Sequence, residues 1–521
     1  MNSFSVHFVF ASLYSPFLIH THAGTACEGS SMEYLLGIDV GSSSVKVALL
    51  DSASGRCAGN AFYPKTEMKI ESPQSGFAEQ NPEDWFRCAK DAVRDAMHTA
   101  NAAPGDVKAI GIAYQMHGLV CVDKNRNVLR PAIIWCDSRA VDYGNAAFEA
   151  LGKDKCLSHL MNSPGNFTAA KLAWVKENEP EIFEKIDKLM LPGDWLAMRL
   201  TAETQTTAQG LSEGILWDFK NEEPCQFLMD YLGFDRQLLP TLTPAFGIQG
   251  NLTKTAATEF GLKPGTPVSY RAGDQPNNAL SLNVLNPGEV AATAGTSGVV
   301  YGVTDTKQHD PRQRVNTFAH VNHTPTRPRL GILLCINGAG ILNSWTKKLI
   351  GNISYNEMNE LATSAPTGSG GITILPFGNG AERMLGNRRI GAQIAGIDFN
   401  RHSRAEICRA VQEGIVFSFQ HGLDAMKQTG IKPSVIRAGY ANMFMSPIFT
   451  QTLAELSGAI IELYKTDGAQ GAARGAGIGA GIYESFDQAF STLEKRKTVE
   501  PGENSCAEAY SHWKKHLNRL L

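Results

Sequence analysis

The 521-residue chain is 43% hydrophobic and carries a formal net charge of −3 at pH 7, with a pI near 6.5, which is enough apolar material for roughly two or three packed domains. It has no extended Lys or Arg run, so it lacks the electrostatic footprint of a nucleic-acid or anionic-membrane binder, and small soluble molecules are the expected substrates. The ten cysteines, Cys27 to Cys506, include no C-x-x-C pair. Most stand in apolar stretches, as Cys121, Cys136 and Cys335 do, and read as reduced core residues of a cytoplasmic protein.

Residues 1–31 read as a disordered leader or a misassigned start. Phe8 to Ile19 is largely apolar and Ala23 to Cys27 is rich in small residues, as in a weak signal peptide. However, no Lys or Arg precedes the apolar core, Pro16 interrupts it, and Met32 stands just ahead of the first strand. The run is also too short and broken to span a bilayer. Tyr34 to Ile38 and Val45 to Leu50 then read as strands around a Gly and Ser turn. Asn81 and Pro82 supply a cap and a first-turn proline for a helix over Glu83 to Ala100, with Trp85, Ala89, Val93 and Ala96 or Met97 at helical spacing. Val107 to Ala113, Leu119 to Asp123 and Ala132 to Trp135 are strand-like, Ala169 to Ile186 is helical, and Leu189 to Asp194 with Leu238 to Phe260 forms a longer insertion before the strand Val268 to Ala272.

After Pro287-Gly288 the α/β pattern restarts. Val290 to Ala294, Ser297 to Val303, Leu330 to Ile336 and Ile372 to Pro376 are strand candidates for a second sheet. Ser403 and Glu406 make a capping-box string ahead of a long helix, and Ser434 to Ala438 follows as a strand. Each half opens on a Gly-rich hairpin, Asp39 to Lys46 and Ala294 to Val299, which reads as a duplicated fold around a cleft. The close glycines at Gly475, Gly477, Gly479 and Gly481 suit tight helix packing; no G-x-G-x-x-G follows a strand there.

The segment Gly37-Ile38-Asp39-Val40-Gly41-Ser42-Ser43-Ser44-Val45-Lys46 holds the parts of a phosphate-binding hairpin. Its turn offers unhindered N–H groups to phosphate oxygens, and Asp39 suits a magnesium ion or its water. No G-x-x-x-x-G-K-[ST] string occurs, so this is not a Walker A loop. No His and Cys cluster has metal-ligand spacing, which leaves magnesium brought by ATP as the only ion expected. Gln115-Met116-His117-Gly118 falls at the end of a strand, where open α/β sheets place ligand-binding residues, and the His117 ring can both donate and accept. Gly273-Asp274-Gln275 also ends a strand, and by itself Asp274 reads first as a cap for the helix that follows.

Together these strings resemble the FGGY family of carbohydrate kinases over Met32 to Tyr483. The resemblance implies an α/β fold of two actin-like (ribonuclease H-like) domains with an interdomain catalytic cleft, residues 32–285 binding sugar and 286–521 binding nucleotide. It implies ATP and Mg2+ and a small sugar as substrate, and, because the family includes dimers and larger assemblies, it leaves the oligomeric state open with a homodimer among the options; the charge pattern already speaks against a nucleic-acid or membrane partner. Asp39, Gly41, Ser42, Ser43 and Lys46 match the first phosphate string, and Gly295, Thr296 and Ser297 the second. Gln115, Met116 and His117 resemble the sugar loop of the xylulokinase branch, which implies phosphorylation of D-xylulose to D-xylulose 5-phosphate. Asp274 matches the general base and Gln275 a second sugar contact, while Asp137 and Arg139 of the W-x-D-x-R string, with Asn166, stand on the sugar side.

The adenosine side departs from the family pattern. Ala438-Gly439-Tyr440-Ala441-Asn442-Met443-Phe444 replaces a glycine-rich string, leaving Gly439 and Asn442 as nucleotide contacts and Tyr440 or Phe444 as adenine-packing or core residues. Thr206-Thr207-Ala208-Gln209 replaces a Ser-Asp-x-Ser string, and Gly380-Ala381-Glu382-Arg383 only loosely follows Gly-Glu-Arg-Thr-Pro. The alternatives are an FGGY kinase for another ketose or polyol, such as ribulose or gluconate, a non-catalytic actin-like ATP-binding regulator, and a sugar-binding protein that has lost its nucleotide.

Overall fold

Two mixed β-sheets with the same strand order at their centres organise the computed structural model, which describes residues 32–521; the expected leader lies outside the described residues. In the first sheet β1 (Tyr34–Val40), β2 (Val45–Asp51) and β3 (Cys57–Tyr63) form an antiparallel meander, and β4 (Val107–Tyr114) and β5 (Val268–Gly273) add parallel to β1, giving the order β5-β4-β1-β2-β3. The second contains β6 (Glu289–Ala294), β7 (Gly298–Thr304), β8 (Asn316–Ala319), β9 (Leu330–Ile336), β10 (Val435–Gly439), β11 (Ile460–Tyr464) and β12 (Lys495–Val499) in the order β8-β9-β7-β6-β10-β11-β12. Its central five, β11-β10-β6-β7-β9, repeat the first sheet strand for strand and direction for direction.

Local chemistry sets the main helices. Helix α1 (Pro82–Thr99) starts where the Asn81 side chain accepts from the Glu83 N–H, and it buries Trp85, Ala89, Val93, Ala96 and Met97. The expected helix over Ala169 to Ile186 is instead α2 (Thr168–Asn178) and a separate turn from Pro180. Glu179 leaves the helical region at φ −133° and ψ 55°, as a residue before proline tends to do. Later helices that bear on the site are α3 (Ala208–Glu213), α4 (Asp274–Ser281), α5 (Gly340–Leu349), α6 (Arg404–Met426) and α7 (Gly468–Gly479). A capping box between Ser403 and Glu406 starts α6.

Two expectations are corrected. The strand expected over Ile372 to Pro376 is Thr373–Leu375, and it pairs only with Gln393–Ala395, outside the second sheet. Its apolar residues are claimed by a local ladder and by Trp513, whose ring N–H donates to the Ile374 carbonyl at 2.8 Å. Cys136 and Cys335 are exposed, whereas Cys121 is buried. Cys335, next to last in β9, is exposed although Leu333 on the same face is buried, so its exposure belongs to the end of the strand and not to the alternation of faces.

Helix α7 follows β11 in the second sheet yet packs on the first. A β-carbon on Gly37 of β1 would fall 1.8 Å from the Ala469 carbonyl oxygen, and one on Gly111 of β4 2.0 Å from that of Ala472, so both strands need glycine to admit the helix. A β-carbon on Gly475 would fall 2.6 Å from the Tyr270 ring of β5, in agreement with the packing expected of this glycine run. Among the described residues no helix is long and apolar enough to cross a membrane.

Candidate active site

The first hairpin places Asp39 next to the end of β1, opposite Lys46 on β2, and the Gly41 N–H closes the turn on the Ser44 carbonyl at 3.1 Å. Burial raises the Asp39 carboxyl to about 6; the Lys46 charge opposes this and Asp467 adds to it. Asp467 caps α7, and a β-carbon on Gly468, the first residue of that helix, would lie 2.6 Å from Asp39 Oδ2. Asn277 of α4 donates to the Gly468 carbonyl at 2.8 Å. Three segments far apart in sequence thus meet at one carboxylate.

Asp274 is the first residue of α4, directly after β5. Gly273 occupies the cap position and no side chain caps the helix, so Asp274 is not spent as a cap. Its carboxyl is pushed up to about 7 by burial and then by the Asp39 charge, against hydrogen bonds from Gln275.

Strand β4 runs to Tyr114, and the chain then turns through Gln115-Met116-His117. Gln115 is buried and donates to the Gln80 side chain at 3.2 Å, and Met116 is buried beside Gly273. His117 adopts a left-handed φ of 64°. Its Nδ1 donates to the Glu213 carbonyl at 2.9 Å, which fixes the tautomer, because a carbonyl only accepts, and leaves Nε2 as an acceptor. Burial first, and the Lys171 charge second, hold the ring down at about 3, so it stays neutral. The rings of Phe167 and Phe318 flank it at 4.8 and 5.2 Å.

Glu213 was not among the residues singled out in the sequence. Its carboxyl is buried and pushed well up, principally by burial. It lies by the Tyr114 hydroxyl and the Asp274 charge, with Oε1 unpartnered. The one signal of it was that its segment departs from the family string.

Asp137 and Arg139 are bound together in the interior. Asp137 accepts from the Ala78 N–H at 2.6 Å and from Arg139, and Arg139 also pairs with Glu79 at 2.7 Å. The Arg139 guanidinium packs into the corner made by the edge-to-face rings of Phe77 and Trp174, at 3.7 and 4.7 Å from their centroids. Asn166 donates to the Asp137 carbonyl and leaves its own Oδ1 unpartnered.

In the second half Gly295, Thr296 and Asn442 line a cavity of about 580 Å³ together with Asn343, Tyr355 and Ser446. Ser297 and Gly439 stand outside that lining. Asn442 takes a left-handed φ of 53° just after β10. Phe444 is core, edge-on to Phe449 at 5.1 Å, whereas Tyr440 is exposed. From the same half, the Arg383 charge reaches His117.

The chain was compared with known proteins. Residues 34–281 match the N-terminal domain, and 290–483 the C-terminal domain, of the FGGY family of carbohydrate kinases. It is 31% identical over 447 residues to the xylulose kinase of Escherichia coli (strain K12), covering 84% of this chain and 88% of that one. The crystal structure of a "xyloylose kinase" from Brucella ovis superposes with a TM-score of 0.82 at 26% identity over 94% of this chain and 99% of that one. A gluconate kinase from Lactobacillus acidophilus reaches 0.84 at 20% identity, covering 94% and 98%, a likeness of fold alone. The chain belongs to the FGGY family of carbohydrate kinases. It is a phosphotransferase with an alcohol group as acceptor.

Proposed function

We propose that the protein transfers the γ-phosphoryl group of ATP to the terminal hydroxyl of D-xylulose, giving D-xylulose 5-phosphate and ADP. The observation that carries this reading is the buried Asp274 carboxyl, first in its helix, raised by the Asp39 charge and next to Gly273, which meets Met116 of the loop that presents His117. The xylulose kinases among the relatives support the choice of sugar.

In this reading residues 32–285 hold the sugar and 286–521 the nucleotide, with α7 crossing back to set Asp39. The sugar's terminal oxygen attacks the γ-phosphorus as the bond to the β,γ-bridging oxygen breaks, and its proton passes late to the Asp274 carboxylate. His117 Nε2 accepts from one sugar hydroxyl, and Gln275 holds another. Met116 walls the sugar, and Gln115 braces the loop. Asp137, Arg139 and Asn166 stiffen the adjoining wall. Gly41, Ser42, Ser43 and Lys46 face phosphate oxygens from one hairpin, and Gly295, Thr296 and Ser297 from the other. Gly439 and Asn442 lie on the adenosine side.

A buried carboxylate at a phosphate hairpin suits magnesium, which takes one or two carboxylates plus water and phosphate oxygens. Asp39 would hold it, directly or through water, and when bound with ATP it neutralises charge on the β and γ oxygens. ATP as phosphoryl donor points to the cytoplasm.

Coupled ADP release with Mg-ATP and a panel of D-xylulose, D-ribulose, L-ribulose, gluconate and glycerol, against a no-sugar control, tests the reading. Release stimulated chiefly by D-xylulose is expected. Strongest stimulation by another member would overturn the substrate, and none would overturn the kinase reading in favour of a binding role.

A further inference from the structure

We propose that Lys171 is a positioning residue that, from beneath the sugar loop, holds His117 in the left-handed turn from which it meets the substrate. The inference rests on the reading of His117 as a sugar contact. A residue with a side chain at φ 64° is uncommon and persists only where its surroundings over-determine it. Here the carbonyl and ring of His117 are both held. Lys171 Nζ donates to the His117 carbonyl at 2.7 Å, and the ring Nδ1 donates to the Glu213 carbonyl at 2.9 Å.

Lys171 is fully buried, and its Nζ also donates to the Ile134 carbonyl at 3.0 Å, tying the sugar loop to the segment that leads into Trp135. A buried ammonium is normally paired with a carboxylate. The nearby Asp137 instead bonds Arg139 and the Ala78 N–H, and among the described residues Lys171 forms no ion pair. Both of its recorded bonds go to backbone carbonyls on loops that face the site, an arrangement that fixes a backbone shape and does not neutralise a charge. Residue type matters accordingly: the reach and the donors are needed, not the positive charge as such.

A double-mutant cycle separates this role from general packing. His117→Gly removes the ring and makes a positive φ easy. It should raise the sugar KM about tenfold or more, as loss of a substrate hydrogen bond does; an unchanged sugar KM would refute the sugar-contact reading itself. With that reading intact, Lys171→Met should raise the sugar KM about tenfold with the ATP KM within about twofold of wild type. In the His117→Gly background the same change should add no more than about a further twofold, since no imidazole is left to position. Additive effects, a sugar KM unmoved by Lys171→Met, or an ATP KM that rises in parallel would each overturn the proposal. Should Lys171→Met not yield folded protein, Lys171→Gln, whose shorter stem cannot bridge the His117 and Ile134 carbonyls though it leaves a polar end in the buried site, carries the same cycle with the same criteria.

Discussion

The two halves carry one scaffold and opposite chemistries. Both begin with a strand, a Gly-rich turn and an antiparallel return, followed by two parallel strands on the other side. In the first hairpin the next-to-last residue of β1 is Asp39, paired across the turn with Lys46; at the same place in β6 stands Thr293, opposite Val299. The strand that comes next in each half ends in a loop with a left-handed residue that is not glycine, His117 after β4 and Asn442 after β10. The last strand of each set leads to an aspartate at a helix start, Asp274 after β5 and Asp467 after β11. Asp467 caps its helix by accepting from the Gln470 N–H at 2.9 Å, whereas Asp274 stands one residue inside its helix, past the cap position at Gly273. Duplication therefore supplies matching positions, and the side chain's bonding decides which member of a pair is free for chemistry.

The largest expected effect sets those two aspartates apart. Asp274→Ala should lower turnover by about 10²–10⁴ with both KM values little changed, since base catalysis is worth that much. Asp467→Ala should lower stability by about 1 kcal/mol, the value of a helix cap, and leave turnover within a few-fold. Steady-state kinetics with thermal unfolding reads both, and equal losses of turnover would erase the distinction.

Next in size is the interior wall. Arg139→Met leaves the buried Asp137 without its ion-pair partner, while Glu79 keeps Arg130 at 2.5 Å, and should destabilise the fold by about 3–5 kcal/mol, measured by denaturant unfolding. The folded fraction should keep its sugar KM, and a rise there would make Arg139 a direct contact. Smaller again, Asn442→Ala should raise the ATP KM by roughly two- to tenfold, as one neutral hydrogen bond does, while the equivalent loop's sugar KM stays fixed.

The remaining effects are those of pH. With Asp274 near 7 in the free protein, kcat/KM should climb as pH rises through 7 and then level. For stability the sign is the reverse. The folded state binds this proton more tightly than the unfolded chain, whose carboxyl titrates near its ordinary 3.8. The stabilisation is thus complete below about 4 and is lost as pH rises through 7. Asp39, near 6, acts in the same direction over a lower window. Asp274→Asn should therefore melt above wild type at pH 8, with the gain gone at pH 4. A gain that grew toward low pH would contradict the burial of this carboxyl.

Local pattern made much of this legible in the chain. Alternating apolar runs and Gly-rich turns located both hairpins and the parallel strands β4, β5 and β10, though not β11, and Asn81 and the Ser403–Glu406 pair marked helix starts to within a residue. What escaped depended on distance in sequence. The return of α7 to the first sheet rests on small residues at Gly37 and Gly111, more than 350 positions from their partners, and nothing local announces it. Thr373–Leu375 carries strand chemistry that does not say which partner it takes. The site residues found by family strings came with their positions but not their bonds. Only the fold shows that Arg139 is bound into an ion-pair network, that Lys171 spends its donors on loop carbonyls, and that Glu213 brings a buried carboxyl up to Gly273, within reach of the Asp274 charge.

The central claim is that a sugar hydroxyl, deprotonated by Asp274, takes the γ-phosphoryl group of ATP. The most direct test is phosphorus NMR of the products formed from D-xylulose and Mg-ATP by the wild type and by Asp274→Ala at pH 8. The account predicts a 5-phosphorylated ketose accumulating with ADP in the wild type, and in the variant residual ATP with at most about a hundredth of that rate. Sugar phosphate formed at the wild-type rate by Asp274→Ala, or ADP with inorganic phosphate and no sugar phosphate from the wild type, would contradict it.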